Sequence, residues 1–580
     1  MTSKITHLSI PKKRVTRIVK HYDQDKHTIW TQGNTEFYYI IKNNPIYYYK
    51  KGRKIHKILD VNSFGNTYFK IGNVCLSPNQ KYLLFSADRV GDGVFYLYIK
   101  PLFGKTIQKI KEPMNGDFVW IDNQCIIFPN INEGYNTDKT YVYDVIQKKR
   151  TLLYENKDTF IHLYNINDIV FLYDSSYDSD EVYKIEHDLT MNKLFNKSKD
   201  VYYPYIEQDD DLWYIHEANR GKNIIKTTRD FKTFLIVYKN DDVYTTLKNI
   251  VVQHHKVYFI LCKGGEKTCV HGPSRLYIDD KYKVTMDEKL NVYVESYLTP
   301  KHNIKFCLRE SPYIEKTIHI KPMLSFTMMY KKKHILNQSK CLVYGYGSYG
   351  QDTMKYSPFL FELLDAGFIV VMAHIRGDGY FGFKGYDQGR MLHKKNTFKD
   401  FVDIIFYLFE KKYTNKESLT IWGRSAGGLL IASVLNQYDI CHLAILGVPF
   451  VMPLLNVSCP MYPYGHASRR EFGNIEYKTH YQYLKSYDPY YNIDLNHNYP
   501  HIFIYTNQYD RVVPTIEPIT YYEKLKHVNV FKTKEKTLTL FVDQKYGHGQ
   551  GSSRKQKEGS NAQIIDLIIK LNVKHKYKYI

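Results

Sequence analysis

Leu419-Thr420-Ile421-Trp422-Gly423-Arg424-Ser425-Ala426-Gly427-Gly428-Leu429-Leu430-Ile431-Ala432 is the run that decides how this chain folds. Its first four residues read as a buried strand, and its last four, continued by Val434 and Leu435, read as an apolar helix. Between them stands a G-x-S-x-G turn. A strand, this turn and a buried helix describe a nucleophile elbow, in which the serine occupies a strained backbone conformation and a side chain at Gly423 or Gly427 would strike the neighbouring element. Ser425 would then sit at a helix N-terminus, whose dipole favours developing negative charge. The five-residue pattern alone turns up by chance in roughly one chain in five of this length. The flanking strand and helix therefore carry the reading.

Outward from this stretch, strands alternate with helices. Cys341 to Tyr344 reads as a strand, Pro358 to Leu364 as a helix, and Phe368 to Ala373 as a strand. A helix opened by Thr397-Phe398-Lys399-Asp400 follows, with apolar residues at Phe401, Ile404, Ile405 and Leu408. Beyond the elbow come strands at Leu443 to Val448, His501 to Tyr505 and Leu538 to Val542, and a closing helix carrying Ile564, Ile565, Leu567, Ile568 and Leu571. Such alternation predicts a parallel sheet covered on both faces, an α/β-hydrolase-like domain over residues 301–580.

Residues 1–300 read differently. Short strands recur at Tyr82 to Phe85, Val94 to Ile99, Phe118 to Ile121, Cys125 to Phe128, Thr140 to Tyr143, Ile169 to Tyr173, Leu212 to Ile215, Val257 to Leu261 and Leu290 to Val294. Turn formers such as Ser77-Pro78-Asn79 separate them, and almost no stretch has helical period. This is an all-β domain. At roughly 40 to 45 residues per blade it accommodates a propeller of six or seven blades, with a pair of β-sandwiches as the alternative.

A chain of 580 residues is too long for one core, so two domains fit its length. Its 43% hydrophobic and 24% charged residues are ordinary for a globular protein, whereas its 56 tyrosines reflect a biased composition. The formal charge of +22 is spread along the chain without a nucleic-acid-binding motif, so nucleic acid is not expected as a partner. Eight cysteines show no C-x-x-C spacing and read as reduced thiols. The N-terminus has no signal-peptide pattern, and no segment reaches the roughly 18 apolar residues that would span a bilayer. A cytoplasmic protein, monomer or homodimer, is expected.

A serine nucleophile needs a base, and the base needs an acid to orient it. In this fold they arrive in the order Ser, Asp or Glu, His, each after a strand. Asp510 follows the strand His501 to Tyr505, and His548 follows the strand Leu538 to Val542. Rival histidines at 466, 497, 501 and 527 lack the flanking glycines Gly547 and Gly549. Asp543 is a rival acid on the same loop as His548. The Ala426 N–H would supply one oxyanion donor, and the glycine-rich run Tyr344 to Gly350, which contains Tyr346, the second.

These pieces together resemble the prolyl oligopeptidase family of serine peptidases, and most closely its oligopeptidase B branch. The matching runs include Leu342 to Gly350, His374-Ile375-Arg376-Gly377, Lys394 to Phe398, Gly423 to Gly428, Val448 to Val451, Glu471-Phe472-Gly473-Asn474, Ser486 to Tyr490 and Gly547-His548-Gly549. The resemblance implies a seven-bladed propeller capping an α/β-hydrolase domain, with the site enclosed so that short peptides enter. It matches Ser425, Asp510 and His548 to the family's triad and Tyr346 to its oxyanion tyrosine, and it implies no metal or cofactor. An N-terminal arm of the family is expected to be missing here.

The departures from the family pattern concern specificity. Acidic residues of relatives that cleave after Lys or Arg are replaced by Ser468, Arg469 and Arg470, and a second acidic pair by Met354 and Tyr356. Tyr380 stands where a glutamate follows the Arg376-Gly377 turn. A cationic P1 side chain needs carboxylates to offset its desolvation, so basic specificity is not carried over. Proline specificity is not restored either, because Ser468 replaces a tryptophan, and Arg511 falls one residue early for that branch's substrate-binding arginine. The leading expectation is a serine oligopeptidase. An esterase or acyl-peptide hydrolase, and a catalytically silent propeller interaction protein, are the alternatives.

Overall fold

A computed structural model describes residues 26–573, apart from 33, 42, 66–67, 133–135, 158, 177–178, 210–211, 243–244, 254–255, 264–265, 272–273, 279–281, 287–291, 297–312, 335, 352–358, 460–464, 529–535 and 550. The domain boundary expected at residue 300 lies outside the described residues, as do Met354 and Tyr356.

Between Lys26 and Ser296 the chain forms seven successive antiparallel sheets among the described residues, six of four strands and a last one of two. Adjacent sheets share cores because side chains alternate across each strand. In the strand Tyr82–Asp88, Leu83 and Phe85 pack toward Phe37 and Tyr47 of the preceding sheet, while Leu84 packs toward Ile126 and Phe128 of the following one. Ile127 and Leu172 join the third and fourth sheets, and Phe171 and Trp213 the fourth and fifth. The second, third and fourth sheets are thus blades buried on both faces by their neighbours. This is a β-propeller rather than a pair of sandwiches.

The second half is built on one eight-stranded sheet. We number its strands β1 (Tyr313–Lys321), β2 (Leu324–Lys331), β3 (Cys341–Tyr344), β4 (Ile369–His374), β5 (Leu419–Arg424), β6 (Leu443–Gly447), β7 (His501–Asn507) and β8 (Leu538–Asp543). Their spatial order is β1-β2-β4-β3-β5-β6-β7-β8. β3 to β8 pair in parallel, whereas β1 pairs antiparallel with β2, and β2 with β4. The reading of an all-parallel sheet therefore needs correction at this edge. The β1–β2 hairpin was missed because Tyr313–Lys321 alternates exposed polar with half-buried residues and lacks the apolar run of an inner strand.

Both faces of the inner strands are covered. Val343, Val371, Ile421, Leu446 and Ile504 point to one core, beneath the helices Lys395–Glu410 and Ala426–Leu435. Leu342, Val370, Trp422, Ile445 and Phe503 point to the other, beneath Phe359–Asp365 and Arg554–Val573. This two-faced burial explains the continuous apolar runs of the sequence. The chain is a propeller followed by an α/β-hydrolase domain.

At the end of β5 the expected crowding is present. A Cβ on Gly423 would overlap the carbonyl of Gly427, and one on Gly427 would lie 2.6 Å from the Gly345 oxygen. Gly423→Ala is expected to destabilise the C-terminal domain by about 3 kcal/mol or more. Gly559→Ala, in the last helix with open space around it, should be neutral or stabilising by up to about 1 kcal/mol. Thermal midpoints of the two variants check the contrast.

Candidate active site

Ser425 has φ 55 and ψ −121, in the left-handed region that non-glycine residues seldom adopt. The strain is held by backbone bonds on both sides. Its N–H donates to the Gly447 carbonyl at 2.8 Å, and its own carbonyl accepts from Gly428 and Phe450 at 2.8 and 3.1 Å. Ala426 opens the helix Ala426–Leu435, so its N–H belongs to the first turn, where no intrahelical acceptor exists.

Asp510 lies in the loop after β7 and is 3% exposed. One carboxylate oxygen accepts from the N–H groups of Val512 and Val513 at 3.0 and 2.9 Å. The other lies 2.8 Å from Nδ1 of His548. The rival acid is occupied elsewhere, because Asp543 accepts from the Lys545 N–H of its own turn. Two rival histidines also have other partners, His501 at Thr537 and His497 against the Tyr499 ring.

The loop carrying His548 is held by residues that the sequence reading passed over. The Asn507 amide donates to the carbonyls of Gly547 and Gly549. Arg424 donates to the His548 carbonyl at 3.2 Å, which draws this loop against the elbow. Gly547 abuts the backbone of Gly91, in a propeller turn, so closely that a Cβ there would overlap the Gly91 carbonyl. Beside it, Arg511 and Asp92 approach to 3.6 Å.

Tyr346 follows β3, and its hydroxyl is hydrogen-bonded to Ser425. Burial raises this phenol above its ordinary range, so it stays protonated and able to donate. Its loop is tied to Lys394, whose ammonium is 1% exposed and 2.7 Å from Glu471. Burial pulls Lys394 below the usual lysine range, and the Glu471 carboxylate opposes that shift.

The expected pocket residues divide. Arg376 is engaged in a two-pronged pair with buried Asp400, both contacts at 2.7 Å. Tyr380 is 5% exposed and stacks on His374 with ring centres 3.8 Å apart. Both are held by these packing contacts. A neutral ring at position 380 can enter a core that a glutamate would resist. Ser468 is buried and hydrogen-bonds Tyr349, next to the Tyr346 loop. Arg470 lies 4.2 Å above the Tyr202 ring of the propeller, and its carbonyl accepts from Arg390. The described residues hold no cluster of His, Cys, Asp and Glu able to bind a metal ion, and no helix among them is long and apolar enough to cross a membrane.

Residues 354–570 match the family model described as "Prolyl oligopeptidase family", a span that includes Ser425, Asp510 and His548. The chain is 24% identical to Protease 2 of Moraxella lacunata over 570 residues, covering 88% of this chain and 82% of that protein. It is 32% identical to dipeptidyl aminopeptidase BI of Pseudoxanthomonas mexicana over 252 residues, 43% of this chain and 34% of that one. Its fold is similar to that of oligopeptidase B from Leishmania major, with a TM-score of 0.81, 21% identity, and coverage of 96% of this chain and 90% of the other. A strained serine on an elbow, a propeller joined to an α/β-hydrolase sheet and these likenesses agree: the C-terminal half matches the model of the prolyl oligopeptidase family of serine peptidases, and the chain as a whole is similar to proteins of its oligopeptidase B branch.

Proposed function

We propose that this protein is an oligopeptidase that cleaves short peptides through Ser425, His548 and Asp510. Ser425 Oγ attacks the scissile carbonyl while Nε2 of His548 takes its proton. Asp510 fixes the imidazole through Nδ1 and stabilises the imidazolium. The Tyr346 hydroxyl and the Ala426 N–H receive the oxyanion, and His548 then protonates the leaving amine. Water, activated by the same histidine, releases the acyl group. The observation that carries the reading is the left-handed Ser425, hydrogen-bonded to Tyr346, together with a His548 held 2.8 Å from buried Asp510 on a loop tied to Arg424, the residue before the serine.

Three propeller contacts support a limit to short peptides. Gly91 meets Gly547, Tyr202 lies under Arg470, and Gly221 packs on Phe383, so the propeller covers the strand ends where the serine stands. The charges beside Ser468 argue against a cationic P1 residue. Arg470 rests on an aromatic face, and the nearby Glu471 carboxylate is neutralised by Lys394. A lysine or arginine side chain would be desolvated there beside a like charge. The described cysteines Cys75, Cys125, Cys341, Cys441 and Cys459 are free thiols, which fits a reducing cytoplasm as its compartment.

A fluorophosphonate probe should label the wild-type protein and not Ser425→Ala, and the substitution should lower peptide turnover on the order of 10⁵-fold. A peptide library varied in length and P1 should show cleavage of short peptides, with Lys and Arg disfavoured at P1. Labelling together with turnover of esters alone, or of acylated termini alone, would overturn the oligopeptidase reading. Arg470→Glu should raise kcat/KM for an arginine P1 relative to a neutral one by about tenfold or more, the size of a charge-assisted hydrogen bond. An unchanged ratio would remove Arg470 from the specificity pocket.

A further inference from the structure

The loop that carries Tyr346 is unfavourable as a free segment. Gly347, Tyr349 and Gly350 have φ of 67, 59 and 60, so one of three left-handed positions is filled by a bulky residue. Its ends are tied by backbone bonds, from Gly345 N–H to the Trp422 carbonyl at 3.1 Å and from Gly350 N–H to the Gly377 carbonyl at 3.2 Å. Its middle is held by two side chains from elsewhere in the chain. Lys394 directs its ammonium to the Gly347 carbonyl at 2.8 Å, to Ser348 Oγ at 2.5 Å and to Glu471 Oε1 at 2.7 Å. All three ammonium protons thus have acceptors. The other Glu471 oxygen accepts from the Tyr349 N–H at 3.0 Å, and the carboxylate also bonds the Tyr386 hydroxyl.

Three consecutive loop residues, 347 to 349, are therefore gripped by one buried ion pair, directly after Tyr346. On the opposite side Tyr346 meets the elbow, where a Cβ on Gly427 would lie 3.4 Å from its Cα. A buried pair of this kind is a weak source of stability, since apolar residues of similar volume often do as well. What it supplies here is direction. Each donor and acceptor fixes one loop atom, as an apolar contact would not.

We propose that Lys394 and Glu471 are positioning residues of the oxyanion site, which hold the Tyr346 hydroxyl at the place where charge develops on the reacting carbonyl. The inference rests on the peptidase reading for the role of Tyr346. Neither residue touches substrate, and both act through the loop between Gly345 and Gly350. Their loss should lower kcat per active site and leave KM nearly unchanged, because the interaction they serve is realised in the transition state.

The test is a double-mutant cycle of Lys394→Met and Tyr346→Phe in the full chain. It is read as the rate of phosphonylation of Ser425 and as peptide kcat, each per site titrated with fluorophosphonate. Tyr346→Phe should cost on the order of 100-fold in the native chain. Lys394→Met should cost tenfold or more with KM within threefold. In the Lys394→Met background, Tyr346→Phe should then cost less than fivefold. If the two losses multiply, or if Lys394→Met keeps its per-site rate within threefold and lowers only the thermal midpoint, the pair is structural and the proposal falls. Should Lys394→Met fail to fold, the same cycle with Glu471→Gln decides by the same criteria. A protein that is phosphonylated but cleaves no peptide loses the oligopeptidase reading, while the cycle is still decided by the phosphonylation rates. Absence of labelling of the native chain overturns both.

Discussion

The backbone of β5 and the helix that leaves it approach so closely at Gly423 and Gly427 that no methyl group fits between them. With the strand held by β3 and β6 and the helix embedded in the core, the chain can turn from one to the other only through a left-handed residue, and that residue is Ser425. The strain costs on the order of 1–3 kcal/mol and persists because burial of the helix and of both sheet faces outweighs it. Everything placed around the serine is referred to this fixed point. The Ala426 N–H is its immediate neighbour, the Gly345 carbonyl sets the distance to the Tyr346 loop, and Arg424 reaches to the His548 carbonyl.

Buried carboxylates organise the loops at the same end of the sheet. Asp510 is solvated by the N–H groups of Val512 and Val513, Asp378 by those of Ile375 and Tyr380, and Asp488 by those of Leu454, Tyr490 and Tyr491. The arrangement lets one side chain define a turn while it satisfies N–H groups that would otherwise be buried unpaired. It does not fully repay desolvation. Asp488 is raised to about 6 by burial despite its three donors. In the Lys394–Glu471 pair, as in Arg376–Asp400, a full cation faces the anion, and Lys394–Glu471 stands behind the loop that brings Tyr346 to Ser425.

The propeller takes part in the geometry as well as covering it. Asp88 accepts from the N–H groups of Val90, Gly91 and Gly93, which shapes a turn whose Gly91 presses on Gly547 and whose Asp92 faces Arg511. The histidine loop is therefore supported from the hydrolase side by Asn507 and Arg424 and from the propeller side by backbone contact. Phe69 adds a hydrogen bond from the propeller to Ser552, shortly after His548.

Much of this architecture is legible in the sequence. The elbow, the helix Lys395–Glu410 and the inner strands declare themselves because period, turn glycines and apolar runs are properties of contiguous residues. The order Ser425, Asp510, His548 is likewise readable, since each stands just beyond a recognisable strand. The β1–β2 hairpin was not, because its alternating polar face looks like surface until β4 supplies the neighbour that buries β2. Tyr380 and Arg376 stand out in the sequence from their place in a motif, and only the tertiary structure gives their partners, His374 and Asp400. The sequence by itself determined the layer order, the elbow and the candidates for its chemistry, because these follow from local sterics and periodicity. The tertiary structure alone decided the partners: Lys394 with Glu471 across 77 residues, Arg470 with Tyr202, and Gly547 with Gly91. Such pairs form only when distant segments are brought together by closure of the sheet and docking of the propeller, and no local pattern encodes their distance.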